Sequence, residues 1–148
     1  MYKNKKIRWS MIIAWMIFVF FMSNTPGNES SNQSDFVVKL FSMVGIDLNA
    51  SLGEMTTIII RKFAHFTEYF ILFILIYRVS ECYENRKYNK ILLVGLVFVY
   101  ACTDEFHQYF IPGRAARFTD VMIDTSGGLF AYIITIIIKK VRDYRRIS

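Results

Sequence analysis

Two short stretches hold most of the side chains able to do chemistry: RKFAHFTEY, residues 61–69, and YACTDEFHQYFIPGR, residues 100–114. On a helix turning 100° per residue, Arg61, His65 and Glu68 share an arc of about 60°, and Lys62, His65 and Tyr69 share another. Asp104 and Gln108 lie one turn apart, with His107 about 60° to one side and Glu105 about 100° to the other. A third stretch, FTDVMIDTSGG, follows Arg117 and adds Asp120 and Asp124. His65, His107 or Glu105 would serve general acid–base chemistry, since imidazole titrates near neutrality. Asp104 and Asp120 would orient such a group, and Lys62 and Arg114 suit a phosphate or carboxylate on a ligand. The His and carboxylate types that hold divalent ions are present, but no fixed metal spacing such as HExxH is, and the nearby Arg and Lys repel a cation. No metal or other cofactor is therefore expected. Neither a Ser-His-Asp spacing nor a phosphate-cradling glycine loop occurs, and Gly127-Gly128 reads as helix packing.

The elements that must position these residues are apolar. The 148 residues, one domain over 1–148, are 54% hydrophobic. The apolar residues fall in blocks at 7–22, 56–77, 91–103 and 118–138. A helix needs roughly 20 residues to cross the hydrocarbon layer. The second and fourth blocks have that length, and the first and third reach it with Ser23, Asn24 and residues 104–108. The expected fold is all-α: a polytopic membrane protein, a bundle of four transmembrane helices spanning about 7–24, 56–77, 91–108 and 118–138. The basic start before the first block resembles a signal peptide, but FFMSNTPG lacks the small-residue cleavage pattern, so an uncleaved anchor is expected.

Charge sets the orientation. Of 18 Lys and Arg, 13 lie in the N-terminal tail, the 78–90 linker and the C-terminal tail, with three acids among them. The positive-inside rule makes these segments cytoplasmic, N- and C-termini included. That face sums to 13 − 3 = +10 and the outer one to 5 − 9 = −4. The basic balance is thus a topology signal for a cell-membrane protein and makes no case for nucleic-acid binding. Cys82 and Cys102 fall towards opposite sides, too far apart for a disulfide.

Residues 25–55 form the outer loop. Its start, SNTPGNESSNQS, favours turns. Ser34 then caps a short amphipathic helix near 35–44, carrying Phe36, Val37, Leu40, Phe41 and Val44 and stopping at Gly45. This helix is either a packing lid over the bundle or an element lying at the outer lipid surface. In the fourth span, Gly127-x-x-x-Ala131 is a small-xxx-small pattern that lets a neighbour approach. Four spans bring the second helix's start, the third's end and the fourth's start to the outer side. Their ionisable groups then form a polar pocket opening outward, or an ion-pair network that pins helix register.

In order along the chain, SNTPGNESS, RKFAHFTEY, YACTDEFHQYFIPGR and FTDVMIDTSGG resemble the VanZ-like family of small bacterial membrane proteins. The Lys62–His65–Tyr69 spacing and Asp104-Glu105-x-x-Gln108, followed by Pro112-Gly113-Arg114 and Asp120, are its specific features. Asp124 departs from the pattern, where the family more often carries Asn. The resemblance implies that the positions matching its pattern form the site; read by residue type, His65, Asp104, Glu105 and Asp120 are the candidates for catalysis and Lys62, Tyr69, Gln108 and Arg114 for binding substrate. Through the family's best-known member it also implies a contribution to teicoplanin resistance, without supplying a reaction. The expected partner is a membrane lipid or lipid-linked envelope precursor, which the pocket acts on or binds. A non-catalytic binder or accessory protein is the alternative, as is a small transporter, which would have to form a homo-oligomer.

Overall fold

The computed structural model describes residues 5–83 and 89–146. Helices α1 (Lys5–Ser23), α2 (Gly27–Met43), α3 (Leu48–Leu52), α4 (Thr56–Ser80), α5 (Leu92–Gln108) and α6 (Phe118–Tyr144) follow in order, with no strand among the described residues. A 3₁₀ turn, Gly53–Met55, leads into α4. The all-α expectation holds, and the four apolar blocks become α1, α4, α5 and α6. Two of these run on past the expected spans: α4 to Ser80 and α6 to Tyr144. Lys and Arg, which fill the end of α6, are good helix formers and do not stop a helix.

The segment 25–44 departs from expectation. No irregular stretch precedes a short helix; α2 begins at Gly27, and Ser34 sits inside it rather than capping it. The serines turn their hydroxyls back on the helix: Ser31 donates to the Gly27 carbonyl at 3.0 Å and Ser34 to that of Ser30 at 3.1 Å. A hydroxyl satisfied this way no longer competes for the backbone. Gly27, Ser30, Ser34 and Val38 form the buried face, which packs on α4. Phe36, Leu40, Phe41 and Met43 face outward and are exposed. The stop falls as expected, with the Gly45 N–H bonded to the Ser42 carbonyl.

The fold is organised around α4, against which α1, α2, α5 and α6 all pack. Its Tyr69, Leu72 and Phe73 are buried with Val97 and Ala101 of α5, Val121 and Ala131 of α6, and Ile12 and Val19 of α1. Several cross-helix bonds end on carbonyls: Trp15 Nε1 donates to Glu68 at 3.0 Å, Tyr100 to Met16 at 2.7 Å and Arg8 to Arg78 at 2.6 Å. The bundle's outside is apolar. Ile13, Phe21, Phe63, Leu96, Phe130 and Ile137 are among its exposed side chains. By length and composition α1 and α6 are able to cross a membrane. The other two long helices are less plain: α5 has 17 residues, and α4 has 25 but carries Arg61, Lys62, Glu68 and Arg78.

Contact between α4 and α6 depends on Gly127. A Cβ there would stand 2.2 Å from the Phe66 carbonyl oxygen and 3.2 Å from the Phe70 nitrogen, both backbone atoms that cannot rotate away. At Gly128 it would meet a Val97 methyl at 2.9 Å, which can. Gly127→Ala is expected to destabilise the bundle by about 1–3 kcal/mol, as overpacking does. Gly128→Ala is expected to cost less; thermal unfolding of the two variants in detergent gives the order.

Candidate functional site

At the end of the bundle where α4 begins, α5 ends and α6 begins, a recess of about 200 Å³ opens. From α4 it is lined by Arg61, Lys62 and His65, and from α5 by Glu105 and Gln108. The connection supplies Gly113, Arg114 and Arg117, and α6 supplies Asp120 and Asp124. Six of the eight candidates read from the sequence thus share one cavity. The other two lie beneath it. Asp104 is buried, and Tyr69, fully buried one turn below His65, turns its hydroxyl beside Asp104.

The rim is held by a few polar contacts, each joining separate elements. Lys62 forms an ion pair with Asp120 between α4 and α6. Glu105 accepts the Arg117 N–H at 2.5 Å, anchoring the residue that precedes α6. Arg114 donates through Nε to the Thr25 carbonyl at 3.1 Å and through Nη1 to Gln108 Oε1 at 3.3 Å. Its pKa is pulled below the usual arginine value by burial and then by Arg61. The turn carrying Arg114 leans on α2. Gly27 N–H bonds the Pro112 carbonyl at 3.1 Å, and a Cβ on Gly27 would lie 2.1 Å from the Gly113 oxygen. The start of α2, read as a loop from composition, therefore braces the site.

The floor is acidic and buried. Asp104 Oδ2 accepts from Ser23 at 2.7 Å and from Gln108 at 3.1 Å. His65 Nδ1 stands 3.7 Å from Asp124 Oδ1 and 3.8 Å from Glu68 Oε2. His65 Nδ1, Tyr69 Oη, Asp104 Oδ1 and Asp124 Oδ1 are buried with no hydrogen-bond partner among the described residues. His65, Asp104 and Asp124 each present a potential metal-ligand atom, and the three atoms lie within 4.8 Å of one another.

His107, an acid–base candidate by type, goes elsewhere. Its ring lies against Phe20, centroids 4.6 Å apart, and its Nε2 approaches Asn24 Oδ1 at 3.3 Å. The 60° rotation from the Asp104–Gln108 face carries it to α1, away from the recess. Ser23 is the contributor that sequence reasoning missed. It ends an apolar helix, and its pairing with Asp104 spans 81 residues, a distance no local pattern reports. Arg61, Arg117 and Asp124 were visible as polar interruptions on the same helical faces.

No curated protein and no solved structure matches the chain. A family model described as VanZ/LLP1 matches residues 9–139, which include all six helices in whole or part and each residue of the recess. That match covers the RKFAHFTEY and DEFHQ segments from which the recess is built, and the chain belongs to the VanZ/LLP1 family.

Proposed function

We propose that the chain crosses the cell membrane four times, through α1, α4, α5 and α6, with both ends cytoplasmic. The recess then opens on the outer face and binds the anionic headgroup of an envelope lipid or lipid-linked envelope precursor. The apolar exterior of all four helices supports the first part, since soluble monomers rarely expose apolar surface so widely. Arg61, Lys62 and Glu68 of α4 then face the bundle or the recess, where an ionisable residue in a span is tolerated. The distribution of basic residues supports the orientation: Arg8, Arg78, Lys139 and Arg142 gather at the end opposite the recess. In this setting the outward apolar face of α2 lies in the outer lipid surface while its serine face rests on α4, so the helix is both lid and interfacial element.

One observation carries the ligand class. Arg61 and Arg117 line the recess, and among the described residues neither side chain has a hydrogen bond or an ion pair. Lys62 is paired with Asp120 and Arg114 is held by Thr25 and Gln108. Two guanidinium groups at the mouth of a cavity are left to take a phosphate or carboxylate, for which their planar fork of donors is suited. Sequestering a lipid-linked precursor in this way would give the resistance to teicoplanin that the family resemblance implies.

The topology is open to labelling. In a Cys82→Ser, Cys102→Ala background, Ala115→Cys is expected to react in intact cells with a membrane-impermeant thiol reagent, and Glu81→Cys only after lysis. The reverse pattern would invert the orientation.

Retention of anionic lipid is the corresponding check on the ligand. Protein extracted with its lipids should carry an anionic lipid visible by native mass spectrometry. The Arg61→Gln/Arg117→Gln variant should hold it about tenfold less tightly or weaker, the scale of one lost charged hydrogen bond. Equal retention by the double variant would remove the two arginines from the ligand's site.

A further inference from the structure

The floor of the recess holds a feature that headgroup binding does not use. His65 of α4, Asp104 of α5 and Asp124 of α6 converge on one point. Asp104 is 4% exposed and Asp124 1%. Each keeps one carboxylate oxygen without a hydrogen-bond partner among the described residues, and so does His65 Nδ1. We propose that these three side chains bind one divalent transition-metal ion, of the zinc or manganese class, beneath the recess.

Distance is the first argument. The 3.7 Å from His65 Nδ1 to Asp124 Oδ1 and the 3.8 Å to Glu68 Oε2 are too long for hydrogen bonds. They match two atoms sharing one ion. Ligands at about 2.0–2.2 Å from zinc lie about 3.4 Å apart at the tetrahedral angle and about 4.3 Å apart when opposed. The widest separation in the trio, up to 4.8 Å, closes to that range with a side-chain shift on the order of 1 Å. Glu68 approaches His65 Nδ1 without belonging to the trio, and Tyr69 turns its hydroxyl towards Asp104.

Charge is the second argument. Two carboxylates that are ionised while buried among apolar helices carry a desolvation cost that a counter-charge or donors must offset. The site's cations are committed elsewhere or face outward: Lys62 pairs with Asp120, Arg114 donates to Thr25 and Gln108, and no salt bridge among the described residues reaches Asp104. A divalent ion supplies the missing charge. The donor set selects the class. One imidazole with carboxylates suits zinc or manganese better than the all-oxygen cage of calcium or magnesium, and the trio includes no cysteine to favour a softer ion. Ser23 and Gln108, both donating to Asp104 Oδ2, leave Oδ1 free and fix the carboxylate's orientation, as outer partners of metal ligands do. His65 and Asp124 also line the recess, so an ion here faces whatever enters it. The inference does not rest on the lipid reading, because the metal is measured directly.

The experiment uses the full chain in detergent, stripped with a chelator and titrated separately with Zn²⁺ and Mn²⁺. Bound metal is counted by elemental mass spectrometry after desalting, and affinity is taken from calorimetry. One equivalent of at least one of the two ions is expected. Asp124→Asn and His65→Gln, each confirmed as folded by gel filtration and circular dichroism, should weaken it by more than about tenfold. His107→Gln, which removes the histidine outside the recess, should bind as the unaltered chain does. Absence of stoichiometric binding of both ions would overturn the proposal. So would unweakened binding by folded Asp124→Asn, or loss of binding in His107→Gln, which would mark an adventitious surface site.

Discussion

The arrangement depends on how apolar helices accommodate buried carboxylates. Asp104, Glu105 and Asp124 are each at least nine-tenths buried, and a charged or polar group at such a depth must find partners inside the protein. Asp104 finds them in Ser23 of α1 and in Gln108 of its own helix, and Glu105 in the Arg117 N–H of the turn before α6, whereas Asp124 Oδ1 has none among the described residues. Each satisfied oxygen is therefore also a tie between segments distant in the chain. One cluster fixes where α1 ends, how the 109–117 connection folds and where α6 starts.

That cluster forms because the backbones beneath it come close. Gly127 sits against the Phe66 carbonyl, so α6 and α4 approach until Asp124, one turn earlier, faces His65. The serine and glycine face of α2 does the same from the other side, with Gly27 seated on Gly113. Small residues here determine distance, and distance determines which polar atoms meet. The Lys62–Asp120 pair on the rim belongs to this geometry too, since its two residues lie on the helices that Gly127 brings together.

The two ends of the bundle divide the chain's chemistry. One end gathers Arg8, Arg78, Lys139 and Arg142 in a basic surface, with Lys90 paired to Glu81 and lying over the Tyr77 ring at 4.4 Å. The other mixes acids and bases around a cavity. A predominantly basic end is what the proposed orientation would place on the cytoplasmic side. At the mixed end, charges of opposite sign such as Lys62 and Asp120 tie helices together around the recess, which Arg61 and Arg117 also line.

The apolar blocks by themselves determined the long helices, because a continuous run of apolar and helix-forming residues has no cheaper backbone conformation away from water. The polar interruptions at 61–69, 104–108 and 117–124 likewise marked the level of the recess, since helical periodicity places each group within a turn. Composition misled at 27–34, where serines that favour turns in isolation are satisfied within α2 and packed on α4. Tertiary structure alone decided the rest: that His65 turns inward while His107 turns to Phe20, that Ser23 holds Asp104, and that His65, Asp104 and Asp124 meet. These are matters of helix rotation and interhelical distance. Both are set by packing between residues tens of positions apart, so no local spacing encodes them.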